Sequence, residues 1–123
     1  MNKDSRKKGA EAEKAAALWI EKNKGYRIIE RNYKRKHGEI DIIAEDGDTC
    51  VFTEVKYRSG TDGGYPAEAV TVRKQESIIR TAAQYIQEND ISCGRFDVAE
   101  IIERNGKMYI RYIENAFEWR NCQ

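Results

Sequence analysis

Gly38-Glu39-Ile40-Asp41-Ile42-Ile43-Ala44 leads into Asp46-Gly47-Asp48, and Cys50-Val51-Phe52-Thr53-Glu54-Val55-Lys56 follows. Apolar and β-branched residues dominate both flanks and a tight turn separates them, so the stretch reads as two strands of one hairpin. Strand side chains alternate between faces. Glu39, Asp41 and Ile43 therefore share one face of the first strand, and Cys50, Phe52, Glu54 and Lys56 one face of the second. With Gly47-Asp48 at the turn, Asp41 stands opposite Glu54 and Glu39 opposite Lys56. With Asp46-Gly47 there, Glu39 faces Glu54. Either register brings carboxylates together, and like charges directly opposite, at Cβ separations of roughly 4.5–5.5 Å, are destabilising. A hard divalent cation, Mg²⁺ or Mn²⁺, resolves that repulsion, because oxygen-rich clusters bind such ions. The competing reading is a solvated, charged sheet face. Ile43 and Phe52 on the same faces argue against a fully wet surface, and Lys56 sets an ammonium beside the carboxylates.

The rest of the chain narrows the choices. Its 123 residues suit one domain with a modest core, and 40% hydrophobic with 35% charged is a soluble globular composition. No apolar run approaches the roughly 20 residues that a membrane span needs. The N-terminus has no apolar h-region before a small-residue cleavage site, so the cytoplasm is the default compartment. Cys50, Cys93 and Cys122 are odd in number and lack any CxxC spacing, which favours reduced thiols. His37 is the only histidine. That argues against a zinc centre and against a histidine-oriented triad. Residues 1–36 hold 12 Lys/Arg against 5 Asp/Glu, a net of +7, whereas residues 37–123 hold 10 against 16. An anionic partner at the basic end is one reading; a solvated helix face with a charged tail is the other.

Residues 5–24 read as a helix closed by Gly25, with Glu13, Ala16, Ala17 and Ile20 on one stripe. Residues 26–33 read as a strand, and 38–45 with 49–57 as the hairpin. Residues 58–66 form a glycine-rich loop, a plain surface loop or a flap beside the site, without the Gly-Lys-Ser/Thr of a phosphate-binding loop. Residues 67–89 carry helical periodicity, with Val72, Ile78, Ile79, Ala82, Ala83 and Ile86 as the apolar set and Thr71 as cap. Residues 94–103 and 107–114 are strands joined at Asn105-Gly106, a strong hairpin signal. Phe117 and Trp119 in the tail are expected to dock on the body. The order α-β-β-β-α-β-β predicts an α/β (α+β) fold: one mixed sheet with a helix on each face, and a parallel crossover through helix 67–89.

That order, with Glu13 in the first helix, Asp41 in the second strand and Glu54-Val55-Lys56 in the third, resembles the PD-(D/E)xK nuclease superfamily. Within it the chain resembles the YraN-type family of small bacterial proteins, which are similar to archaeal Holliday-junction resolvases. The likeness spans nearly the whole chain. It rests on Gly9 and Glu13, Gly25-Tyr26, Glu30-Arg31-Asn32-Tyr33, Gly38 to Ile43, Phe52 to Lys56, Lys74, Arg95-Phe96-Asp97-Val98 and Asn115-Ala116-Phe117. Ala12, Thr53 and Tyr57 depart from the family's usual Gly, Val and Thr, and none of the three removes a ligand. The resemblance implies a restriction-endonuclease-like core in one domain, and Mg²⁺ or Mn²⁺ held by Asp41, Glu54 and the Val55 carbonyl with Glu13 completing the acidic cluster. It implies catalysis by Glu13, Asp41, Glu54 and Lys56, with Lys56 acting on the attacking water or the phosphate, and a role for Lys74 toward nucleic acid.

This chemistry suits hydrolysis of DNA phosphodiester bonds, including branched, repair or recombination substrates. Lys34-Arg35-Lys36 just before the acidic strand is suited to gripping backbone phosphates, which adds affinity without reading sequence. A solvated turn explains the same three residues equally well. The partner expected is DNA, with a homodimer allowed and no membrane. Two other readings stand beside the nuclease: a non-catalytic module that keeps the fold and binds nucleic acid or protein, and a structural partner with a merely solvated acidic face. Thermal melting with and without divalent cations separates them.

Overall fold

The computed structural model describes residues 3–59 and 70–119, and side chains from residue 6 onward. Helix α1 spans Lys3–Trp19, and its last turn widens into a π-helical turn, Ile20–Lys24. Gly25 ends it at φ 70°, donating its N–H to Ile20 O at 3.1 Å, the left-handed stop that glycine supplies without steric cost. Strands β1 (Arg27–Arg35), β2 (Gly38–Asp46) and β3 (Thr49–Ser59) follow, then helix α2 (Val72–Asn89) and strands β4 (Gly94–Arg104) and β5 (Lys107–Phe117). The loop expected at 58–66 falls largely outside the described residues, as do residues 67–69 of the expected helix and Cys122.

The five strands lie in chain order, antiparallel throughout except for the parallel β3–β4 pair. Helix α2 is the crossover between the two parallel strands, as such a connection requires. Its helix starts where Thr71 accepts from the Lys74 N–H at 3.1 Å. The β4–β5 turn is Asn105-Gly106 with both residues at positive φ, 53° and 75°, the geometry that favours this dipeptide in hairpins.

Each sheet face buries one helix. Tyr33, Ile40, Ile43, Cys50, Phe52, Phe96 and Val98 pack with Ile78, Ile79, Ala82 and Tyr85 of α2. Ile42, Ala44, Val51, Ala99 and Ile101 pack with Ala12, Ala16, Ala17 and Ile20 of α1, whose small side chains let the helix approach closely. Phe117 stacks on Phe96 at 4.9 Å, and Trp119 donates to Gly94 O at 2.8 Å, so the tail docks as expected. Two members of the apolar set expected for α2, Val72 and Ala83, are exposed, while Thr81 and Tyr85 are buried. The helix turns that stripe slightly, and Thr81 hides its hydroxyl by donating to Ser77 O at 2.8 Å.

The hairpin adopts the first of the two registers. Asp46 pairs with Thr49 around Gly47-Asp48, and Ile42 with Thr53. Gly47 sits at φ 59°, a first central turn position that glycine fills readily. The simple alternation along β2 does not survive. Ile40 joins Ile43 in the α2 core, while Ile42 and Ala44 join the α1 core. The common face expected for Glu39, Asp41 and Ile43 is therefore corrected: the strand twists out of step at Asp41. Asn32 of β1 lies at the matching level, between the pairs Arg31–Ile42 and Tyr33–Ile40, and takes φ 55°. Among the described residues the β2–β3 pairs end at Ile42–Thr53, whereas β3 stays paired with β4 as far as Ser59–Glu103. The two strands of the hairpin part where the acidic residues stand.

Candidate active site

Asp41 and Glu54 meet at that parting. Glu54 follows Cys50 and Phe52 by strand alternation and so points to the α2 face, where it is buried at 6% exposure. Asp41 is half-buried, and its Oδ2 accepts the Val55 N–H at 2.7 Å. That backbone donor takes a ladder position which β2 no longer fills, and it fixes the carboxylate against β3. The Glu54 carboxylate lies near enough to act on the Asp41 carboxyl electrostatically. Burial pushes the Asp41 carboxyl well above the ordinary carboxylate range, to about 7; the Glu54 charge adds to the rise and the Val55 N–H opposes it.

Two ammoniums face Glu54 Oε2: Lys56 Nζ at 3.8 Å and Lys74 Nζ at 3.7 Å. Lys56 reaches it along the strand face. Lys74 comes from the first turn of α2, so this residue belongs to the centre itself. The alternative partner for Lys56, Glu39, is not supplied: opposite Lys56 stands Glu100 of β4, and Glu39 pairs with Lys34 of β1. Strand divergence at Asp41 is the reason.

Glu13 approaches from α1 without joining the pair. Its Oε1 accepts from the Asn32 side-chain amide at 2.7 Å. Burial raises its pKa first, the Asn32 hydrogen bond lowers it, and the charges of Asp41 and Glu39 raise it further. Glu13 thus feels Asp41 electrostatically while held by β1. Among the described residues no three His, Cys, Asp or Glu side chains form a ready metal cage. What does converge is buried Glu54 and half-buried Asp41, two sources of hard oxygen donors, with Asp41 pushed toward its neutral form by burial and by the Glu54 charge. That donor set fits Mg²⁺ or Mn²⁺, since a divalent cation takes hard oxygen ligands and favours the charged form of Asp41.

The basic segment divides by role. Lys34 and Lys36 are exposed. Arg35 is engaged: its guanidinium lies 4.0 Å over the Tyr33 ring and 3.4 Å from Glu88. Asp97 illustrates how a buried carboxylate is satisfied elsewhere in this protein. Fully buried, it accepts from Arg95 at 3.0 and 3.1 Å, Tyr112 at 2.5 Å and the Asn115 N–H at 2.9 Å. Glu100 has no such set. It is fully buried, neither oxygen has a hydrogen-bond partner among the described residues, and Arg58 is ion-paired with it at 3.8 Å. Sequence reasoning missed Arg58 and Glu100. Arg58 was within reach, since it follows Lys56 by two and shares its face. Glu100 was not, because only the parallel register sets it beside Lys56.

A five-stranded mixed sheet between two helices, with an acidic pair and lysines where strands part, defines an α+β protein of restriction-endonuclease-like architecture. The chain belongs to the family described as Uncharacterised protein family UPF0102, whose pattern matches residues 12–101. It is 40% identical over 118 residues to a UPF0102 protein of Chromohalobacter salexigens, covering 95% of each chain. A UPF0102 protein of Alkaliphilus oremlandii is 47% identical over 121 residues, covering 95% of this chain and all of the relative. One from Prosthecochloris aestuarii is 50% identical over 99 residues, covering 78% and 76%. No helix among the described residues is long and apolar enough to cross a membrane.

Proposed function

We propose that this chain is a divalent-metal-dependent endonuclease-like hydrolase of DNA phosphodiester bonds, acting on branched, repair or recombination substrates. One observation carries the reading: half-buried Asp41 beside buried Glu54 where two strands part, with two ammoniums within 4 Å of Glu54. Carboxylates packed against each other cost stability, and a site that gathers cations around them is built for ligand charge rather than for the fold.

Asp41, Glu54 and the Val55 carbonyl would hold Mg²⁺ or Mn²⁺, with Glu13 available from α1. Bound there, the cation would supply Lewis acidity toward a phosphoryl oxygen and would make a water easier to deprotonate. The chain's own groups do the rest. The Val55 N–H aims Asp41. Glu54 accepts the Lys56 and Lys74 ammoniums and so holds both on the α2 face. Lys56, a point charge on a flexible stem, sets positive charge where negative charge develops as the phosphate is attacked. Lys34 and Lys36 add phosphate contacts without sequence preference.

One observation favours a binding module instead: Asn32 occupies Glu13, leaving two carboxylates together rather than three. A cleavage panel of linear, single-stranded, flapped and four-way-junction DNA with Mg²⁺ or Mn²⁺ decides. We expect metal-dependent cleavage that Glu54→Gln abolishes. DNA binding with no cleavage of any substrate selects the module.

A further inference from the structure

Glu100 is a fully buried carboxylate, and neither oxygen has a hydrogen-bond partner among the described residues. Burying such a group is costly unless something compensates it. Its surroundings show what does. In the parallel β3–β4 register Glu100 stands beside Lys56, and Arg58 lies 3.8 Å from its Oε2. Glu54, Lys56 and Arg58 occupy alternate positions of β3 and so share one face. Charges along that face alternate: Lys74, Glu54, Lys56, Glu100, Arg58. The Arg58 side chain is 26% exposed and ion-paired with the buried anion, so it joins the interior to the surface.

The spacing matches a nucleic-acid backbone. Alternate strand residues stand roughly 6–7 Å apart. Successive phosphates of one DNA strand rise about 3.4 Å and turn by about a tenth of a helical turn, which sets them roughly 6–7 Å apart as well. A phosphate at Lys56 therefore has its neighbour at the level of Arg58, whose planar fork suits two phosphate oxygens.

We propose that Arg58 contacts the phosphate next to the one at Lys56, and that Glu100 is a positioning residue that holds the guanidinium in place for it. The proposal rests on reading the Asp41–Glu54–Lys56 centre as a phosphodiester site. It extends that site by one backbone position along β3, toward the end of the strand. It also explains why a buried anion is kept inside a face meant for a polyanion.

The test measures affinity for a short fluorescent DNA duplex over a series of salt concentrations, with Ca²⁺ replacing Mg²⁺ to hold back hydrolysis. Removing one phosphate contact reduces the slope of log affinity against log salt by about 0.9. Arg58→Met is expected to show that reduction. Glu100→Gln, close in shape, is expected to show a reduction too although Arg58 keeps its charge, and the double variant to add nothing further. An unchanged slope with a lowered melting temperature in Arg58→Met overturns the proposal and leaves an ion pair serving the fold. Tighter binding at unchanged slope in Glu100→Gln overturns the positioning role, because Glu100 would then act only as repelling charge. Should Arg58→Met fail to fold, Glu100→Gln alone decides by the same two outcomes. Absence of DNA binding by the unsubstituted protein overturns both this proposal and the reading beneath it. Expected slopes without any cleavage leave the contact standing and remove the hydrolase; cleavage with unchanged slopes does the reverse.

Discussion

Asp41 is pulled in two directions, by burial and Glu54 toward the neutral form and by the Val55 N–H toward the charged one, and burial wins. A carboxyl whose folded pKa lies above its unfolded value contributes stability that is complete below the unfolded pKa. That contribution is lost as pH rises through the folded value. The metal-free protein should therefore weaken between about pH 4 and about pH 7, with a slope from this proton of at most about 1.4 kcal/mol per pH unit. Asp41→Asn should flatten the profile in that window; urea midpoints measured across it check this, and an unchanged slope would place the proton elsewhere. Divalent affinity should rise over the same range, since cation and proton compete. Lys56 makes a different prediction. Lys56→Met keeps the stem, so melting temperature and metal binding should hold while cleavage falls by about 10²-fold or more. DNA affinity should change far less. Unchanged cleavage would remove Lys56 from the chemistry. Glu54 and Lys56 were legible in the sequence because β3 keeps strand alternation, and Asp41 because the hairpin turn sets it near Glu54 even though β2 falls out of step there. The neighbourhood of Lys56 was not, because alternation says nothing about which strand lies on its other side.

At the scale of elements, β2 owes its position to α2 as much as to its hairpin. Gly38 sits at φ 152°, and a Cβ added there would meet Ser77 Oγ at 2.2 Å. Ser77 donates that hydroxyl to His37 O at 2.6 Å, closing the β1–β2 turn onto the helix. Gly38→Ala should cost roughly 1–3 kcal/mol from clash and backbone strain together. Adding Ser77→Gly should return part of the loss, which chemical denaturation of the single and double variants measures; no recovery would assign the whole cost to backbone strain. The basic segment of the same turn should divide under mutation. Lys34→Ala with Lys36→Ala should flatten the salt dependence of DNA affinity and leave melting alone. Arg35→Ala should lower melting instead, because its guanidinium is committed to Tyr33 and Glu88. Identical DNA binding by the lysine pair variant would make the segment a solvated turn. Helix and hairpin limits were readable from Gly25, Thr71 and Asn105-Gly106, each of which acts through its own backbone. The break in β2 was not. It depends on Asn32 in a different strand taking a left-handed conformation opposite Asp41, a tertiary choice that no local pattern records.

For the whole molecule, the fold was legible because α-β-β-β-α-β-β leaves few ways to cover both faces of one sheet, and a long crossover forces the parallel pair. The site was legible only in part. Glu13 looked like a third carboxylate on an apolar stripe, yet the stripe sets only its direction, and Asn32 decides where its oxygen rests. That division gives the last prediction. The pair Asp41–Glu54 stores repulsion that a proton relieves in the absence of metal, so a divalent cation that binds the native state alone should stabilise the entire domain by mass action. At 100 times the dissociation constant this is about 2.7 kcal/mol, or on the order of 10 °C for a domain of this length. Mn²⁺ or Mg²⁺ added in a melting experiment should give such a shift. Asp41→Asn with Glu54→Gln should abolish it and also raise the metal-free melting temperature, because the repulsion is gone. Glu13→Gln should keep part of the shift if two carboxylates suffice, and lose it if the cation draws Glu13 away from Asn32 to complete its shell. A shift that survives the double substitution would place the cation elsewhere, and the acidic pair would lose its claim to the metal.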